Sequence, residues 1–203
     1  YFFLYLFFNK QTMHQIAIYA SGTGTNAARI MEHFKGHPAI RVALVVCNKP
    51  DAGVLSIARS NNIGTLIIEK ERFFRGDAYL PELKAAGISF IALAGFLWKI
   101  PPALIREFQG RIVNIHPALL PKYGGKGMYG HHVHEAVIAH HEAESGITIH
   151  HVNERFDEGS ILFQAACHVD RNETPESLAG KIHALEHRYF PVVIEKTIQN
   201  TPA

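Results

Sequence analysis

A chain of 203 residues with 47% hydrophobic and 19% charged residues can bury a proper core and has an ordinary globular composition. A formal charge of +2, with lysines and arginines scattered, argues against a nucleic-acid or anionic-membrane surface, which needs a basic stripe. Cys47 and Cys167 lie in separate apolar runs and read as two buried thiols of a cytoplasmic protein rather than a disulfide.

The opening "YFFLYLFFNKQT" carries an apolar run too short to span a bilayer and lacks the basic start of a signal peptide. Residues 1–12 therefore read as an upstream extension, and residues 13–203 as one domain. Ile16 to Ala20 form a short buried strand, followed by "SGTGTN" and a helix from about Ala27 to Phe34. "AIRVALVVC" is a continuous apolar strand, the pattern of a parallel sheet covered on both faces. "GVLSIARSNN" reads as a helix, "GTLII" as a strand and "DAYLPELKAAG" as a helix. "ISFIALAGF" is a fourth strand, "PPALIREFQG" a helix opened by proline and closed by glycine, and "RIVNIH" a fifth strand.

From Gly146 the rhythm changes. "GITIHHV" and "SILFQAACHV" are two strands joined by "NERFDEG", and Thr174-Pro175 opens one long helix to about Gln199. The alternation predicts an α/β fold: a doubly wound, mostly parallel sheet with a C-terminal β-hairpin and a long final helix. The domain divides into halves at about 13–110 and about 111–203.

Gly22-Thr23-Gly24-Thr25-Asn26-Ala27 fits G-x-G-x-x-A between a strand and a helix. Glycines let the backbone approach an anion, and the helix start offers free N–H groups. A dinucleotide site also wants an acid at the end of the second strand, and that strand ends in Cys47-Asn48-Lys49. A single phosphate fits better than NAD.

Asn114 and His116 interrupt a β-branched run just before Pro117. Residues two apart in a strand share a face, about 6.6 Å apart along it. Both would reach the carboxyl end of the sheet, where α/β folds place ligands. Asp157, in the acidic turn, could favour the imidazolium of His116 and raise its pKa. A core histidine satisfied by backbone carbonyls is the plainer alternative for His116 alone.

The segments "SGTGTN", "LAGF", "NIHPALLPKY", "FDEGSI" and "EHRYFP" occur in this order across residues 14–195. In them the chain resembles the phosphoribosylglycinamide formyltransferase family of de novo purine (IMP) biosynthesis. The resemblance implies formyl transfer from 10-formyltetrahydrofolate, as co-substrate, to the amine of 5′-phosphoribosylglycinamide. It implies Asn114, His116 and Asp157 as the catalytic trio, and Gly24, Thr25 and Asn26 as holders of the substrate phosphate. Glu186 would contact the ribose, although on residues alone it reads as part of a solvated helix face. Folate would be held by Gly95, Phe96, Leu97, Trp98, Lys99 and Ile100, by Asn114, and by Glu154, Phe156 and Asp157 of the acidic turn. Arg75 is the candidate for the folate glutamate tail, and Leu120-Pro121 for a cis peptide. Trp98 and Lys99 depart from the smaller or differently charged residues common in the family, and the glycine-rich segment 124–131 reads as a mobile rim.

Fourteen histidines raise the question of zinc, but their spacing is wrong. His134-Glu135 is followed by His140, on another helical face, and His134 and His141 are two turns apart, about 10 Å. No metal is expected; His132 would border the site and His150 would support Asp157. The resemblance implies small-molecule partners only, with no nucleic acid or membrane, in a cytoplasmic monomer or homodimer. Two other readings are a formyltetrahydrofolate hydrolase, using water in place of the amine, and a non-catalytic phosphosugar-binding module.

Overall fold

The computed structural model describes residues 13–200; the reading of residues 1–12 as an extension falls outside them. Five strands run parallel: β1 (His14–Ala20), β2 (Ile40–Cys47), β3 (Gly64–Ile67), β4 (Ile88–Leu93) and β5 (Ile112–His116). β6 (Glu144–His151) and β7 (Ile161–His168) follow as an antiparallel pair, and β6 lies antiparallel to β5. The single sheet has the order β3-β2-β1-β4-β5-β6-β7. The chain therefore reverses its winding between β1 and β4, and the crevice beyond their carboxyl ends is where such sheets take ligands.

The helices between the strands are α1 (Thr25–His33), α2 (Gly53–Ser60), α3 (Lys70–Arg75), α4 (Leu80–Ala85), α5 (Pro102–Glu107) and α6 (His131–Ala139), and α7 (Pro175–Asn200) follows β7. Two apolar clusters cover the two faces of the sheet. One gathers Ile16, Ile18, Val113, Ile115, Ile147 and Ile149 with side chains of α1, α2, α6 and α7. The other gathers Ala17, Tyr19, Ile91, Leu93 and Ile112 with Phe73, Leu83 and Leu104. Alternation along β5 therefore sends Val113 and Ile115 into the first cluster and leaves Asn114 and His116 on the opposite face.

Two local departures from the sequence pattern have clear causes. The helix expected from Asp77 begins only at Leu80, because Ala78 and Tyr79 have φ of 52° and 59°. The Asp77 carboxylate accepts the Tyr79 N–H at 3.0 Å and holds that turn. The short α3 escaped the pattern because only Phe73 of its six residues is buried. Of the two cysteines, Cys47 is buried, Cys167 is only half-buried, and both are free thiols. The Leu120-Pro121 bond is cis, as the resemblance implied. No described helix is long and apolar enough to cross a membrane.

Candidate active site

A cleft of about 690 Å³ lies at the carboxyl ends of β1, β4 and β5. Its polar end starts where β1 runs out into Ser21-Gly22-Thr23-Gly24 and α1 begins. Gly24 has φ of +84°, and a Cβ there would sit 2.7 Å from the Val54 Cβ. Only glycine suits both conditions. The Ala28 N–H is bonded to the Gly24 carbonyl at 2.8 Å, so the N–H groups of Thr25, Asn26 and Ala27 precede the helical ladder. The first turn carries no acid, and Lys49, at the end of β2, lines the same wall. This cradle suits an anion. Gly24→Ala should therefore cost about 1–3 kcal/mol of stability and weaken phosphate binding. A urea titration and an inorganic phosphate titration check the two effects.

Glu186 closes this end of the cleft and accepts a 2.8 Å hydrogen bond from Asn26 Nδ2. It is not on a solvated face. Leu178, Ile182, Glu186, Phe190, Ile194 and Ile198 repeat every fourth residue on the buried side of α7, and Glu186 is its one charged member. Burial raises its carboxyl pKa, with the Asn26 bond and nearby His183 acting the other way.

The middle of the cleft brings together Asn114, His116 and Asp157. His116 is buried, with Nε2 donating to the Tyr123 carbonyl at 2.7 Å and Nδ1 lying 3.6 Å from Asp157 Oδ2. Across the β5–β6 ladder, Asn114 stands opposite His150. His150 Nδ1 donates to the His151 carbonyl at 2.8 Å, which leaves Nε2 to accept the Asn114 Nδ2–H at 3.1 Å. His150 Nε2 is also 3.6 Å from Asp157 Oδ1. Asp157 itself has φ of 55° and accepts the Gly125 N–H at 2.9 Å. Gly159 must stay glycine for this turn to close, since a Cβ there would meet the His151 carbonyl oxygen.

The electrostatics correct one expectation. Burial lowers the His116 pKa, and the Asp157 charge and the Tyr123 carbonyl only partly oppose it. Desolvation outweighs the neighbouring carboxylate, so His116 rests neutral at pH 7. Asp157 goes the other way: burial alone would raise it, but His150, His116 and the Gly125 N–H together hold it below the usual carboxylate range.

The far end of the cleft is apolar. The Ser21 N–H donates to the Gly95 carbonyl at 3.1 Å, and Ser21 Oγ accepts the Leu97 N–H at 3.0 Å, which fastens segment 95–100 to the end of β1. Phe96 packs edge-on to Tyr19 at 5.2 Å, and Trp98 stands 5.7 Å from both Phe73 and Phe74. Lys99 Nζ lies 5.6 Å over the Phe156 ring. The residues from Gly95 to Ile100, with Phe156 and Asp157, thus line the cleft together. Arg75 and Glu154 do not: Arg75 is exposed and pairs with Glu71 at 3.5 Å, and Glu154 faces solvent outside the lining.

With this geometry in hand, the chain can be compared with known proteins. The family described as formyl transferase matches residues 14–194. The chain belongs to the formyl transferase family. It is 42% identical over 186 residues to the chloroplastic phosphoribosylglycinamide formyltransferase of Arabidopsis thaliana, covering 89% of this chain and 64% of that one. It is 33% identical to the phosphoribosylglycinamide formyltransferase of Bacillus subtilis (strain 168), covering 92% of this chain and 95% of the relative. The crystal structure of phosphoribosylglycinamide formyltransferase from Bacillus halodurans superposes with a TM-score of 0.83 at 36% identity, covering 92% of this chain and 96% of that one. The chain thus spans under two thirds of the plant relative and nearly all of the bacterial ones.

In this chain the histidines have local uses. Among the described residues, no group of three or more His, Cys, Asp or Glu side chains could hold a metal ion. His132 is exposed and pairs with Glu135 at 3.3 Å instead of bordering the site. His134, one turn away from His131, is the buried member of α6 that lines the cleft, and His183 of α7 joins it there. Neither was singled out as a site residue from the sequence, because a histidine among many carries no signal until burial is known. Segment 125–130 lines the cleft, and the Gly125 N–H at its start bonds Asp157.

Proposed function

We propose that the chain transfers the formyl group of 10-formyltetrahydrofolate to the amine of 5′-phosphoribosylglycinamide. The observation that carries this reading is the meeting of Asn114, His116 and Asp157 midway between an anion cradle and an apolar, aromatic-lined mouth. The cradle of Gly24, Thr25 and Asn26, with Glu186, suits a phosphoribosyl group; the mouth suits a flat bicyclic ring with an extended tail. Residues 13–203 act as one domain, whose half at about 13–110 holds the phosphate and whose half at about 111–203 carries the chemistry.

The amine attacks the formyl carbon, a C–N bond forms, and the carbonyl oxygen gains negative charge. Asn114 has one amide N–H committed to His150 and a second free to donate to that oxygen. His116 holds its Nε2 proton on Tyr123, which leaves Nδ1, on the Asp157 side, to take up and deliver a proton. Its neutral resting state suits this use: an anion forming beside it raises its proton affinity, and Asp157 stabilises the resulting imidazolium. Asp157, through water, carries the proton lost by the attacking amine to the departing folate nitrogen as the C–N bond to folate breaks.

The test is folate turnover by the purified protein, followed by absorbance with and without the phosphoribosyl amine. Turnover that requires the amine supports formyl transfer. Turnover with water alone would make the chain a hydrolase, and phosphate binding with no turnover would make it a binding module.

A further inference from the structure

His116 takes its position from a backbone carbonyl, and that carbonyl belongs to a residue under strain. Tyr123 has φ of 56°, a left-handed conformation unfavourable for a bulky side chain. Something must hold it there, and its side chain is well tied. The Tyr123 hydroxyl lies 3.0 Å from Glu142 Oε1 and 2.9 Å from His140 Nδ1. Burial, and the Glu142 carboxylate after it, raise the phenol pKa, so the hydroxyl keeps its proton. One proton serves one acceptor: the phenol donates to Glu142 and accepts from the His140 Nδ1–H. Lys122 Nζ clamps the same carboxylate at 2.9 and 3.0 Å. Two residues further on, Gly125 donates to Asp157. Gly124 between them has no room for a Cβ, which would fall 2.6 Å from Leu120 Cδ2 and 3.4 Å from the Asp157 Cβ. One short turn therefore sets both the imidazole and the carboxylate, and it is fastened at its far side by a phenol.

We propose that Tyr123 is a positioning residue: its hydroxyl, held by Glu142 and His140, fixes the backbone carbonyl that orients His116 and the N–H that orients Asp157. This rests on the reading of His116 as the group that takes up and delivers a proton in the reaction. Tyr123→Phe keeps the ring and the carbonyl but frees the turn. Glu142→Gln removes the charge that holds the phenol.

The experiment follows the His116 imidazole through a pH titration by NMR in both variants, alongside kcat and KM with the phosphoribosyl amine. The groups facing that imidazole are Asp157 and His150, with the Tyr123 carbonyl. The carbonyl favours the imidazolium, so loosening it should move the His116 titration to lower pH. Turnover should fall about 10-fold with KM changed by less than about twofold, the pattern of a misplaced catalytic group. The double variant should lose little more than either single one, because the two act as a unit. An unmoved His116 titration with unchanged kcat, whatever happens to the melting temperature, would overturn the proposal. If the wild-type protein did not turn over the amine while the His116 titration still moved in Tyr123→Phe, the anchor would stand and the reading of function would fall.

Discussion

Asn114→Ala should lower kcat by a factor of about 10²–10³, roughly 2.7–4 kcal/mol of barrier, with KM for the phosphoribosyl amine nearly unchanged. The half-buried amide sits opposite His150 on the ladder and commits one N–H to it. The other is free for the oxygen on which the proposed reaction develops negative charge. His116→Ala should cause a loss of similar size, since its Nδ1 shares that side with Asp157. Removing both should cost less than the sum, because in the proposed mechanism both act on one oxygen. Steady-state kinetics at saturating folate would decide the matter. A rise in KM with kcat preserved would move both residues from chemistry to simple binding.

Stability should decline as pH falls from 6.5 towards 4. Burial first, then the neighbouring His183 and His131, push the His134 pKa from 6.5 to about 4. Burial also lowers His116, His151 and His187. Unfolded, each of these imidazoles takes up its proton near pH 6.5; folded, it does so only at lower pH. Between those values the unfolded chain binds more protons, so stability rises with pH there and is complete above 6.5. For His134 alone the span corresponds to roughly 3 kcal/mol. Glu186, raised by burial, works in the opposite sense and offsets part of this. Urea midpoints at pH 7.5, 6 and 4.5 would record the decline, and His134→Leu should flatten it. A wild-type midpoint that holds steady down to pH 4.5 would mean these imidazoles are solvated.

Much of this molecule was legible in its residues. Parallel strands buried on both faces are continuous apolar runs, which is why β2 and β4 stood out, and the turn at Gly24 declared itself by its spacing. Asn114 and His116 were visible because they break such a run. What stayed hidden depended on burial and on the backbone. The His116 pKa was placed too high because a sequence shows the carboxylate but not the depth that outweighs it. Glu186 was readable as a solvated residue until its fourfold spacing with Ile182 and Phe190 is noticed. Arg75 lies outside the quoted segments that carry the resemblance, and the positive φ at Ala78 and Tyr79 redirects the chain beyond it. The Tyr123 carbonyl, which holds His116, has no side-chain signature at all.

The hydrogen bond between Asn26 and Glu186 joins residues 160 apart in the chain. It has a kinetic meaning. The anion cradle is made from the first crossover, but the carboxylate that closes it arrives only with α7, the last of the described elements, which packs with α1 on one face of the sheet. Long-range contacts of this kind form late, after the entropy of closing the intervening chain has been met. A refolding chain will regain its helical signal well before it regains a complete cleft, and during that interval it has the shape of the protein without its site.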